Sequence, residues 1–249
     1  PVAAMFVSVV IPTYNRQPIL EKCLLALEQQ QTSGTPVERY EVVVVDDGST
    51  DGTPSWLRQN ADRFAHVRLI EQVHGGPAEG RNRGVDHAHG DVIVFIDSDL
   101  VVTPEFLAKH AEALQHSWTR TGDRLCFTYG AVINTTNFEE PTKERHKLRD
   151  LSWAYFATGN VAIDRSVLQR SGLFDTGFRL YGWEDLELGE RLRRMKVRLI
   201  KCPEAVGYHW HPALSMDQIP RLIEVEGERA RMALLFYRKH PTRRVRFII

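Results

Sequence analysis

Near-continuous apolar runs recur through the first hundred positions. They are Val7-Ser8-Val9-Val10-Ile11, Val42 to Val45, Val67-Arg68-Leu69-Ile70, and the run Asp91 to Ile96. Runs without polar alternation read as strands buried on both faces, the pattern of parallel sheets. Between them the period changes to that of helices. Pro18 to about Gln30 carries Ile19, Leu20, Cys23, Leu24 and Leu27 on one stripe. A short helix is predicted near Trp56 and Leu57 after the turn Asp51-Gly52-Thr53-Pro54, and another from about Ala78 to Ala88, closed by Gly90. Strands alternating with helices predict an α/β fold with a mostly parallel central sheet flanked by helices.

The second half is less regular. Leu125 to Ile133 and the short Val161 to Ile163 read as strands, Glu184 to Met195 as a helix with Leu186, Leu188 and Leu192 inward, and Asp217 to Lys239 as a charged helix. The polar stretch 134–150 reads as a mobile surface loop or an exposed helix. Thr103-Pro104-Glu105 reads as the N-cap and first turn of a further helix.

Composition narrows the partners. Lys plus Arg and Asp plus Glu are equal at 32 each, which argues against nucleic-acid binding by phosphate neutralisation. Cys23, Cys126 and Cys202 are far apart, so neither a disulfide framework nor a cysteine zinc site is expected, and a reducing, cytoplasmic setting fits. No stretch reaches about 18 apolar residues, so no transmembrane span is expected. The start, Pro1 to Phe6, has no charged region followed by an apolar one, unlike a signal peptide. Helix 217–239 could be a solvated face, a dimer contact or a peripheral contact with a membrane surface.

The chemistry-bearing residues cluster at strand ends. Asp97-Ser98-Asp99 follows the fourth run, where open α/β sheets bind ligands. Carboxylates there suit a divalent cation with phosphate oxygens beyond it. Pro12-Thr13-Tyr14-Asn15-Arg16 follows the first run, and Asp46-Asp47-Gly48-Ser49-Thr50-Asp51-Gly52 the second. An aromatic face, a hydroxyl and a carboxylate suit a nucleobase, although Asp-Gly also makes turns unaided. Gly75-Gly76-Pro77 with Arg81-Asn82-Arg83 opens a helix whose start would attract phosphate. Neither GxGxxG nor GxxxxGK[ST] occurs, which disfavours a dinucleotide fold and a P-loop. In Tyr181-Gly182-Trp183-Glu184-Asp185, the Trp offers a flat face to a sugar ring and a carboxylate could accept a hydroxyl proton; equally, the acids could serve a helix start. His209 and His211 share one side if Tyr208 to Pro212 is extended, and either could ligate a metal with the Asp-x-Asp.

Taken in order, VSVVIPTYNR (7–16), VVVVDDGSTDGT (42–53), GGPAEGRNRG (75–84), DVIVFIDSDLVVTPEFL (91–107), TGNVAIDRSVL (158–168), YGWEDLELGERL (181–192) and GYHWHP (207–212) resemble the family 2 glycosyltransferases of GT-A fold. The WEDLELGERL element is similar to the acceptor-side motif of β-1,4-galactosyltransferases, polypeptide N-acetylgalactosaminyltransferases and chondroitin-type polymerases. The resemblance implies one Rossmann-like GT-A domain over 1–249. Its nucleotide-binding half would span about 5–110, its smaller metal and acceptor half about 111–215, and a C-terminal helical segment about 216–249.

It also implies inverting transfer of a hexose or N-acetylhexosamine from a UDP-sugar to a saccharide or other hydroxyl acceptor, with Mn2+ or Mg2+. Pro12, Thr13, Tyr14, Asn15, Arg16, Asp46 and Asp47 would line the nucleoside pocket, with Asp46 the favoured base contact. Arg81 would reach the nucleotide. Asp97 would contact ribose or metal, Ser98 would belong to the nucleotide-binding set, and Asp99 would contact the metal. Gly159 and Asn160 would face the donor sugar. Trp183 and Glu184 would border sugar and acceptor. Asp185 would be the general base, and His209, or less favourably His211, the third metal ligand. The missing membrane spans imply a soluble, non-processive enzyme. Two other readings stay open: a sugar nucleotidyltransferase, and a catalytically silent nucleotide-sugar scaffold.

Overall fold

In the computed structural model, which describes residues 4–144 and 155–249, Val9, Val10 and Ile11 have no solvent exposure. They lie in strand β1 (Met5–Thr13), and their side chains divide between two apolar layers: Val9 and Ile11 on one face, Val10 on the other. β2 (Val37–Asp46), β3 (Val67–Glu71) and β4 (Val92–Ile96) join it in parallel, as the unbroken apolar runs require. On the first face lie α1 (Gln17–Glu28), with its Leu20, Cys23, Leu24, Leu27 stripe, and α4 (Phe106–Thr121). On the other lie α3 (Pro77–His87), α5 (Arg165–Arg170) and α6 (Glu184–Arg194). The short α2 (Thr53–Gln59) precedes β3.

Four more strands extend the sheet beyond β4: β5 (Leu100–Val102), β6 (Cys126–Thr135), β7 (Asn160–Asp164) and β8 (Arg198–Trp210). The order of the eight-stranded sheet is β3-β2-β1-β4-β7-β6-β8-β5. β7 runs antiparallel to β4 and β6, β8 parallel to β6, and β5 antiparallel to β8 at the far edge. The chain closes with α7 (Ile219–Lys239) and α8 (Arg243–Ile248). Phe236 and Val245 pack with Phe178 beside Trp183 and Leu186. Among the described residues no helix is long and apolar enough to cross a membrane.

The structure departs from the sequence expectations in several elements. β5 and α5 have no counterpart among the predicted spans, α4 is expected only by its start, and β8 begins at Arg198, well before the Tyr208 segment considered as extended. Thr103-Pro104-Glu105 does not cap through a side chain: α4 begins at Phe106 after Glu105, and the Thr103 hydroxyl turns toward the Val206 carbonyl, 3.5 Å away. Gly90 does not close α3, which ends at His87 with Ala88 following; it lies so close to β1 that an added Cβ would sit 2.6 Å from the Ser8 nitrogen. Of the polar stretch 134–150, residues 145–150 lie outside the described residues, while Pro141–Lys143 form one 3-10 turn.

Candidate functional site

The parallel strands β1, β2 and β4 deliver their carboxyl ends to one edge. Thr13 ends β1 opposite Asp46, the last residue of β2. Asp46 is buried, and its Oδ2 accepts from the Ser49 backbone N–H at 3.0 Å, which forms the following turn. Its Oδ1 and the Thr13 hydroxyl are buried with no hydrogen-bond partner in the protein. Burying such atoms costs free energy unless something pairs with them, so both are candidates to meet a ligand at this edge. Tyr14 is 41% exposed and its ring meets His74 at 4.6 Å. Asn15, with φ at 53°, joins the two loops: its Oδ1 accepts from Thr50 N–H at 2.7 Å and Asp51 N–H at 3.2 Å.

Asp47 has a different part from Asp46. Its carboxylate accepts from Gln72 Nε2 at 2.7 Å, Gly75 N–H at 2.8 Å and Gly76 N–H at 2.9 Å, with His74 Nδ1 at 2.9 Å. Both oxygens are thus engaged in holding the loop before α3. Gly76, with φ at +89°, then turns the chain into α3. Gly84 lets α3 press onto β1, since a Cβ there would lie 2.3 Å from a Val10 methyl. That close approach carries Arg81 to the strand ends.

Asp97 and Asp99 occupy the tight turn between β4 and β5, closed by Leu100 N–H to the Asp97 carbonyl at 3.1 Å; Ser98 between them is buried. β8 brings His209 opposite Leu100. His209 Nε2 lies 3.1 Å from Asp99 Oδ1, and its Nδ1 3.2 Å from Asn134 Oδ1. One donor atom from each of Asp97, Asp99 and His209 lies within 4.8 Å of the others. Two carboxylates and an imidazole whose other nitrogen is held by Asn134 form a donor set that fits Mn2+ or Mg2+. Arg16 stands 3.4 Å from Asp99 Oδ2. Burial works to raise the Asp99 pKa, but His209 and Arg16 hold its carboxyl below the usual range. Burial likewise opposes protonation of His209, and Asp99 more than offsets it, raising the imidazole above its ordinary value. His211 is exposed and stands outside this group, its ring 6.0 Å from that of His209.

Arg81 ties this turn to α6. Its guanidinium donates to Asp97 Oδ1 at 3.2 Å and to Glu184 Oε1 at 2.8 Å. Glu184 Oε2 is buried without a partner in the protein. Asp185 follows, its carboxylate accepting from Leu186 N–H at 2.8 Å and more distantly from Thr158 N–H at 3.4 Å. Burial and the Glu184 carboxylate push the Asp185 carboxyl up to about 7, against the pull of Arg81. A carboxyl in that range can take a proton near neutral pH. Gly159 backs Asp97, since a Cβ there would lie 3.3 Å from Asp97 Oδ2.

Two expected sugar contacts are otherwise engaged. The Asn160 side chain does not face the opening: it is buried, with its amide bonded to Ala131 O, Ala205 O and His110. Trp183 does not offer a free face. Its indole N–H donates to the Arg229 carbonyl at 2.8 Å, its ring stacks on Phe236 at 5.9 Å, and the Arg229 guanidinium lies over it at 5.5 Å. The α7 helix covers it, because the left-handed pair Gly182 (φ 95°) and Trp183 (φ 74°) turns the chain into α6 against that helix. Asn134 and His74 touch the site but carried no signal of their own, and Thr158 lay in a resembling segment without a role assigned to it. Each is found only through its partner across the fold.

With this geometry in view, residues 8–172 match the family model described as glycosyl transferase family 2. An uncharacterized glycosyltransferase of Bacillus subtilis is 28% identical over 86% of this chain and 68% of its own length. Validoxylamine A glucosyltransferase of Streptomyces hygroscopicus is 28% identical over 94% of this chain and 61% of its own length. A mannosyltransferase from Pyrobaculum calidifontis, solved with GDP-Man and Mn2+, superposes with a TM-score of 0.61 at 27% identity, over 82% of this chain and 56% of that one. The chain thus spans only part of the length of these relatives. GalNAc-T7, solved with UDP, GalNAc and Mn2+, shares the fold with a TM-score of 0.66 at 18% identity, over 84% of this chain and 44% of that one. The curled mixed sheet flanked by helices is that of GT-A glycosyltransferases.

Proposed function

We propose, for a chain that belongs to glycosyl transferase family 2, metal-dependent inverting transfer of a hexose or N-acetylhexosamine from a UDP-sugar to an acceptor hydroxyl. The observation that carries this reading is the Asp97–Asp99–His209 cluster joined through Arg81 to the Glu184–Asp185 pair. Mn2+ or Mg2+ held by Asp97, Asp99 and His209 would neutralise charge on the donor diphosphate as it leaves.

The remaining work falls to side chains. Asp46 Oδ1, opposite Thr13, accepts from the base edge, and Tyr14 supplies an aromatic face. Arg81 keeps Glu184 and Asp97 in fixed relation and adds positive charge beside the departing phosphate. Asp185 takes the proton of the acceptor hydroxyl as its oxygen bonds to the anomeric carbon. The bond from that carbon to the phosphate oxygen breaks, and its electron pair leaves with the nucleotide. One displacement from the opposite face inverts the centre and needs one base, unlike the carboxylate pair of a glycoside hydrolase. The raised Asp185 carboxyl favours an enzyme over a silent scaffold, which has no use for a proton acceptor.

Thermal unfolding with UDP, GDP and CDP, each with and without Mn2+, tests the reading, because a ligand that binds only the native state stabilises it. The expected result is a UDP shift that requires Mn2+ and is lost in Asp99→Ala. No shift with any nucleotide, or a shift indifferent to Mn2+ and to Asp99→Ala, would refute it.

A further inference from the structure

β8 carries an irregularity that decides where His209 stands. Its first part, Arg198 to Cys202, pairs with Cys126 to Gly130 of β6; its second part, Val206 to Trp210, pairs with Ala131 to Thr135. One step along β6 answers four along β8, so Pro203, Glu204 and Ala205 have no counterpart. This is an enlarged bulge, and bulges re-aim the side chains beyond them. Past it the register must be held, because a slip of one residue would turn His209 to the opposite face of the sheet.

Asn160 sits at this step. Its Nδ2 donates to the Ala131 carbonyl at 2.9 Å and the Ala205 carbonyl at 3.0 Å; Ala205 is the last residue of the bulge, and Ala131 the residue of β6 just past it. Its Oδ1 receives His110 Nε2 at 2.8 Å, and His110 Nδ1 faces the Thr128 hydroxyl at 2.7 Å. Every polar group of the amide is therefore used, and its orientation is fixed from behind. Burial pushes the His110 pKa down to about 4, so the ring is neutral, and the network assigns its proton to Nε2. Gly130 makes the room: a Cβ there would lie 2.4 Å from Asn160 Nδ2. The same residue reaches the other half of the site. Asn160 pairs with Ile96, which precedes Asp97, and follows Gly159, which backs the Asp97 carboxylate.

We propose that Asn160, oriented by His110, is a positioning residue for the metal-binding cluster, its amide pinning both sides of the β8 bulge and so holding His209 against Asp99. The inference rests on the metal reading given above. Two measurements separate them: Mn2+ affinity in the presence of UDP, from the spin-resonance signal of free Mn2+, and the side-chain nitrogen resonances of His209 in metal-free protein. Asn160→Ser and His110→Phe should weaken Mn2+ binding by about tenfold or more and shift the His209 signals, while His110→Gln, whose amide still donates to Asn160, stays within about threefold. Asn160→Asp keeps the shape and loses both donors, and supplies the same test if Asn160→Ser does not fold. A role in stability alone would lower Tm and leave both readouts in place. Unchanged affinity and unchanged His209 signals in the folded variants would overturn the proposal. Unchanged affinity in His209→Ala would instead overturn the metal reading, and the metal-free His209 signals would then decide the positioning role alone.

Discussion

Arg81 and Glu184 form a buried ion pair, 2.8 Å apart, with only 6% and 7% of their side chains exposed. The pair spans the two halves of the chain and sits between the β4–β5 turn and the start of α6. Breaking one partner of such a pair leaves an uncompensated buried charge, at a cost of about 3 kcal/mol or more. Arg81→Gln should show this in urea unfolding, together with loss of transfer. Arg81→Lys should keep much of the stability and still fail in transfer, since one ammonium cannot reproduce a guanidinium reaching Asp97 and Glu184 together.

The pH dependence follows from Asp185. Its folded pKa lies above the unfolded value, so the protonated carboxyl favours the folded state at low pH. That contribution is lost as pH rises through the neutral range. Asp185→Asn, which cannot ionise, should therefore raise Tm relative to the parent at pH 8 and not at pH 4, by an amount equivalent to about 1 kcal/mol or more. It should also abolish turnover while sparing donor binding. In the parent enzyme, kcat/KM should rise with pH across the same range and then level off. Near-normal turnover by Asp185→Asn would remove it as the base.

Adjacent carboxylates in one turn should separate cleanly. Asp46→Asn should weaken UDP binding by tenfold or more with a small change in Tm, because one of its oxygens has no partner in the protein. Asp47→Ala should unfold at lower temperature, by about 2 kcal/mol, because it strands the Gly75 and Gly76 N–H groups. Calorimetric titration with UDP and thermal scans of both variants check the contrast.

The two histidines should separate as well. Removing metal with a chelator, or His209→Ala, should reduce the UDP-induced rise in Tm, whereas His211→Ala should keep it. Equal losses in both histidine variants would place His211 among the ligands.

The first half of the fold was legible because its signals are local. Unbroken, β-branched apolar runs at Val9 to Ile11 and Val42 to Val45, bounded by turn residues, read as strands buried on both faces, and their order brings Thr13, Asp46 and Asp97 to one edge. The pattern failed where pairing is long-range. Leu100 to Val102 is too short to announce a strand and exists as one only because β8 returns beside it. Residue type pointed to Asp47, Asn160 and Trp183 as ligand contacts. What decides their use is the backbone N–H groups, carbonyls and α7 side chains that reach them, and none of these is near in sequence. The preference for His209 over His211 came from the resemblance alone; its physical reason, the contacts with Asn134 and Asp99, is visible only in the fold.

The edge position of β5 governs when the protein becomes competent. Its sole strand partner among the described residues, β8, lies more than a hundred positions later in the chain. The β1–β2–β3–β4 half can close early on contacts made within itself. Arg81 and Arg16 can reach the turn bearing Asp97 and Asp99 early, but its contacts with His209 and the Trp210 N–H form only after residue 210 has been made and folded back. Contacts of such separation are slow to form. During synthesis, nucleotide and metal capture should therefore switch on at the final step of folding, and a truncation before β8 should keep an early-folding half that cannot acquire it.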